Sequence, residues 1–132
     1  MTVFLSSDEG RRIVYIRFQG AIGDDEAVSY YRRLAAWFIA HGYRSNITDF
    51  SAVTSFTVTT QTVNKLAANT PLVPNGFHRI MVAPQDSVFG CARMYEMLGS
   101  GTRDTVHVVR TMAEACQLLG VESLDLEPVT EW

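Results

Sequence analysis

The stretch His78-Arg79-Ile80-Met81-Val82-Ala83-Pro84-Gln85-Asp86-Ser87 decides the fold. A short apolar run ends in a proline turn, and a helical pattern follows from Val88 to Leu98. The same order then repeats. Thr105-Val106-His107-Val108-Val109-Arg110 runs into Thr111-Met112-Ala113-Glu114, a capping box whose helix reaches Leu119 and stops at Gly120. Two short apolar strands, each followed by a helix, point to parallel strands in an α/β layer, since a crossover helix carries the chain back to start the next strand.

Working back toward the start, Val3 to Ser7 reads as a strand. Asp8-Glu9-Gly10-Arg11 reads as a turn, with Gly10 supplying any positive φ. Arg12 to Phe18 alternates Val14, Ile16 and Phe18 with Ile13, Tyr15 and Arg17, the period of a strand. The two strands should pair as an antiparallel hairpin at one end of the sheet. Gly20 to Gly23 breaks the pattern, and a helix from Asp24 to His41 follows, acidic in its first turn and stopped by Gly42. Its core stripe is Ala27, Tyr31, Leu34 and Phe38, widened by Tyr30, Trp37 and Ile39. Ser45 to Phe50 is a third strand, ending in Ser51 to Val53, and Val63, Leu66 and Ala67 mark a short helix stopping near Asn69. The expected fold is thus α/β: a five-stranded, mostly parallel sheet with an N-terminal antiparallel hairpin and four interleaved helices. It spans residues 1–120, and residues 121–132 form an acidic, loosely attached tail.

At 132 residues, with 47% hydrophobic and 19% charged residues, the chain is one globular domain able to bury a core. A net charge of −3 argues against nucleic acid as a partner, which would demand a basic face. The apolar run Leu34 to Ala40 is far short of the ~20 residues needed to span a bilayer. Asp8, Glu9, Arg11 and Arg12 interrupt any signal-peptide core, so the cytoplasm is the expected compartment. Cys91 and Cys116 both fall in helices among apolar neighbours and read as buried free thiols. His41, His78 and His107 stand at no metal-ligand spacing, so neither metal nor cofactor is expected. With no Gly-x-Ser-x-Gly elbow and no glycine-rich loop carrying lysine, an enzyme is the less favoured class.

Two segments resemble a known family. Ile47-Thr48-Asp49-Phe50-Ser51-Ala52-Val53 resembles a strand end of the STAS fold, the fold of bacterial anti-sigma-factor antagonists. Phe89-Gly90-Cys91-Ala92-Arg93-Met94-Tyr95 is similar to a helix of the bacterial SpoIIAA-like family, and the last strand and helix, with Arg110, Glu114, Ala115 and Leu119, fit that family's ending. The resemblance runs from Val3 to Gly120 and implies a β-α superhelical sheet shared with the CRAL-TRIO lipid-transfer domains. It also implies binding to a partner kinase, switched by phosphorylation of a serine in an Asp-Ser-Ser stretch. Here Thr57, Val58 and Thr59 occupy that stretch. Val58 cannot accept phosphate, which leaves Thr57 and Thr59 as acceptors or, alternatively, as caps of the following helix.

In open parallel sheets, ligands gather outside the carboxyl ends of the strands. Asp49, Ser51, Asp86 and Arg110 are expected there, with Arg110 either holding an anion or pairing with one of the aspartates. The helix from Val88 to Leu98 shows one apolar stripe of Val88, Cys91, Ala92, Tyr95 and Leu98. Phe89, Met94 and Met97 lie off that stripe, with Gly90 and Arg93 between them. That second face suits a homodimer, a partner protein, the wall of a ligand cavity, or a neighbouring helix. The leading expectation is therefore a non-enzymatic regulatory domain acting by protein contact, without the usual phospho-acceptor serine. The alternative is a small carrier enclosing an apolar or lipid-like ligand between sheet and helices. An apolar cavity would favour the carrier, and a tightly filled interior with a flat apolar surface would favour the contact domain.

Overall fold

The computed structural model describes residues 2–99 and 106–132. In chain order these form β1 (Thr2–Asp8), β2 (Ile13–Ile22), α1 (Asp24–His41), β3 (Ser45–Phe56), α2 (Thr60–Ala68), β4 (Arg79–Val82), α3 (Asp86–Leu98), β5 (Val106–Val109), α4 (Met112–Leu119) and β6 (Glu127–Pro128). The sheet has six strands in the order β5-β4-β3-β2-β1-β6. β2 to β5 run parallel, and β1 pairs antiparallel with β2. The α/β class, the hairpin and the four helices are as expected from sequence. Thr105, read as the start of the last parallel strand, lies outside the described residues.

Register fixes what each face carries. One row across the sheet is Val14–Asn46–Arg79–Val106, and the next is Ile16–Thr48–Met81–Val108. Both rows look toward α1, α2 and α3, because residues two apart on a strand share a face. Over β2 the contact is with Tyr30, Leu34 and Phe38 of α1, around Phe18, which is stacked on Phe50 at 5.2 Å. Over β4 and β5 it is with Val63 of α2 and Ala92 and Tyr95 of α3. The opposite face carries Ile47, Ile80, Val82 and Val109 against Ala115 of α4. Burying each large apolar side chain contributes roughly 1.5–3 kcal/mol, so these clusters hold the layers together.

Several expectations are corrected. The sheet has six strands rather than five, because the tail is not loose. Its β6 pairs with β1 through Ser6–Pro128 and Ser7–Glu127, and Val129 N donates to Leu5 O at 2.8 Å. Trp132 packs edge-on to Tyr30 at 6.3 Å, lies under the Arg33 guanidinium at 4.2 Å, and accepts a 2.7 Å hydrogen bond from Arg33 on its carbonyl. β2 continues through Gly20 to Ile22 instead of breaking there. It does so by slipping register against β3 at two places, with Gly20 at φ 97° beside the second slip. In the hairpin turn the positive φ falls on Arg12, at 55°, and not on Gly10. On α1, Ile39 is 75% exposed and does not join the core stripe.

Candidate functional site

α1, α2 and α3 do not close completely over the sheet. Between them lies a pocket of about 80 Å³, partly open to solvent and almost wholly apolar. Phe18 and Phe50 from the sheet, Val63 and Leu66 from α2, and Val88 and Ala92 from α3 form much of its wall. On α3 the small side chains of Cys91 and Ala92 line it, and Tyr30, Tyr31 and Tyr95 complete the wall.

The charged side chain in that wall is Arg79, which is 6% exposed. Its place on the strand puts it in register with Asn46, on the face covered by the three helices. Nη1 donates to Tyr95 Oη at 2.8 Å, and the guanidinium lies 5.3 Å from the Tyr95 ring and 5.9 Å from the Tyr31 ring. Nε is buried without a hydrogen-bond partner. Among the described residues no carboxylate forms an ion pair with it, the four ion pairs being Arg11–Asp8, Arg44–Glu9, Arg93–Glu96 and Arg110–Asp86.

The surroundings of Arg79 share this deficit. Tyr30, also on the pocket wall, buries a hydroxyl that has no well-formed hydrogen bond. The nearby Thr48 hydroxyl and the Asn46 carbonyl oxygen are buried and unpaired too. Tyr31, by contrast, donates to Thr70 O at 2.5 Å. A buried polar atom without a partner costs about 1–3 kcal/mol, so several on one face of two adjacent strands is a departure from ordinary core construction. Burial pushes both the Tyr30 hydroxyl and the Cys91 thiol up, so both stay protonated at neutral pH. Arg79 stays charged because a guanidinium does not deprotonate in proteins. The pocket therefore offers a cation, neutral donors and an apolar wall, a set suited to binding rather than to proton transfer.

The strand-end and α2 residues singled out from sequence lie elsewhere, whereas Val88, Cys91, Ala92 and Tyr95 of the α3 stripe line the pocket. Asp49 is buried on the α4 side, where Tyr15 donates to it and Ser51 N donates at 2.9 Å. The first register slip between β2 and β3 falls between Asp49 and Ala52, so the Asp49 carboxylate meets an amide at the irregularity. Arg110 pairs with Asp86 at 2.7 Å, donates to Pro84 O at 3.1 Å, and stacks on Phe89 at 3.7 Å. Of the two readings of Arg110, the geometry matches pairing with an aspartate. Thr59 is the N-cap of α2, accepting from Thr62 N, while its own N and Oγ1 donate to Asp24 at 2.7 and 3.0 Å. Thr57 Oγ1 donates to Ile22 O at 3.4 Å.

On α3, Val88, Ala92 and Tyr95 are buried as expected, but Leu98 is 49% exposed. Phe89 is covered by Arg110, Met94 packs partly into the core, and Arg93 pairs with Glu96 along the helix. Gly90 is open to solvent and Met97 is 64% exposed. Among the described residues, no group of three or more His, Cys, Asp or Glu side chains could hold a metal ion, and no helix is long and apolar enough to cross a membrane.

Sequence reasoning passed over Arg79, although its signal was present. In Arg79-Ile80-Met81-Val82 the alternation puts Arg79 on the same face as Met81, which a strand covered by helices must bury. Neither protein-family models nor curated proteins yielded a match to the chain.

Proposed function

We propose that this domain is a small binding protein that holds an apolar ligand between its sheet and the α1–α3 layer. The observation that carries the reading is the apolar pocket of about 80 Å³ in a region where interiors are otherwise close-packed. A sealed apolar cavity of ~150 Å³ takes up benzene, so a smaller but open-mouthed pocket suits a short apolar group whose far end reaches solvent. The test is titration of methyl-labelled protein with 1-hexanol, followed by NMR. Met81, Val63 and Val88 methyl resonances should shift saturably, while Val109, on the α4 face, should not. Absence of saturable shifts at the pocket, or shifts confined to the α4 face, would reject the reading.

A second reading, regulatory contact with a protein or with another copy of the chain, draws support from the exposed Met97 and Leu98 at the end of α3. Met97→Glu with Leu98→Glu should abolish such association without unfolding the domain. Sedimentation of the wild type as a monomer at high concentration would count against self-association.

A further inference from the structure

We infer that the ligand of this pocket carries a carboxylate, held by the free edge of the Arg79 guanidinium with the Tyr30 hydroxyl beside it. This rests on the reading of the pocket as a binding site and adds the chemistry of the ligand's head. Four observations lead to it. Arg79 is buried, bears a permanent charge, and lines the pocket. Its Nη1 is taken by Tyr95, which leaves the edge carrying Nε, the edge with the fork geometry that matches a carboxylate. No described acid neutralises it, and tyrosine rings at 5.3 and 5.9 Å offer only a weak substitute for an anion. Finally, the Tyr30 hydroxyl stands on the same wall without a well-formed hydrogen bond, its polar neighbour being the Thr48 hydroxyl.

An uncompensated charge in a protein interior is strongly destabilising, and replacing it with an apolar side chain is often neutral or favourable. A core needing only to be filled would therefore carry methionine or leucine at this position. A ligand carboxylate supplies the counter-charge that no described acid provides, and the apolar walls take its hydrocarbon. Phosphate and sulfate esters suit the site less well, since they present three oxygens and more charge to one cation in a pocket lined otherwise by carbon. The class that fits is a small apolar monocarboxylate.

The experiment compares hexanoate with 1-hexanol by calorimetry, in the wild type and in Arg79→Met. In the wild type, hexanoate should bind about tenfold or more tighter than hexanol, the increment of a hydrogen bond to a charged group. The Arg79 Nε–H resonance should move downfield with hexanoate alone. In Arg79→Met that preference should disappear, and Arg79→Lys, which keeps the charge but lacks the fork, should retain only part of it. If hexanol binds as well as hexanoate to the wild type, the carboxylate assignment fails while the pocket remains a binding site. If neither binds, the pocket reading fails and the assignment falls with it. The comparison within the wild type decides the matter even where a variant does not fold.

Discussion

Trp132→Ala should destabilise the domain as much as a moderate core mutation, although the residue ends the segment expected to be loose. Three contacts are lost. The stack beneath Arg33, at 4.2 Å, contributes about 0.5–1 kcal/mol. The edge-on contact with Tyr30, at 6.3 Å, contributes about 0.5–1.5 kcal/mol. Partial burial of the indole against the α1–β2 cluster adds about 1 kcal/mol. The total is about 2–3.5 kcal/mol, or a fall of roughly 6–15 °C in the thermal midpoint for a chain of this size. Far-UV circular dichroism is the right probe, since the substitution removes one of the two tryptophans. Arg33→Ala and the double variant complete a cycle, whose coupling should be about 0.5–1 kcal/mol. A midpoint lowered by less than about 2 °C, with strictly additive effects, would show that the tail lies on the domain without holding it.

Thr59→Ala removes the α2 cap and half of the link to Asp24, and should cost about 1–2 kcal/mol in urea unfolding; an unchanged midpoint would disprove the cap. Asp8 receives hydrogen bonds from the Asp125 and Arg11 amides, which together with the Arg11 guanidinium hold its carboxyl below the usual aspartate range. Its contribution is therefore present above the unfolded-chain pKa and is lost as pH falls through the lower native value. Asp8→Asn should flatten the acid side of the stability profile, and a profile unchanged from the wild type would refute this.

The layers were legible because they rest on periodicity. The two apolar strands after His78, the capped helices and the stripe on α1 follow directly from which residues must be buried. What escaped notice depends on contacts between distant segments. β6 is two residues long and is held by backbone bonds, which no side-chain pattern announces. The continuation of β2 past Gly20 depends on register slips against β3, a property of the pair and not of either strand. The charges at the strand ends were visible, but whether Arg110 stays free or pairs is a matter of distance. Arg79 could have been found by asking which face of its strand it occupies. That the inward face there is lined by a cavity depends on how three helices fail to meet, and one-dimensional spacing does not encode it.

If the space between β3, β4 and the α1–α3 layer is a binding site and not a packing defect, filling it must weaken binding. Ala92→Leu tests it, since this buried α3 side chain lines the pocket and the substitution adds carbon where the space lies. Calorimetric titration of 1-hexanol into wild type and variant is the measurement. A folded Ala92→Leu protein should bind hexanol about tenfold or more weakly, because its own side chain occupies the apolar space. A folded variant that binds hexanol as tightly as the wild type would contradict it.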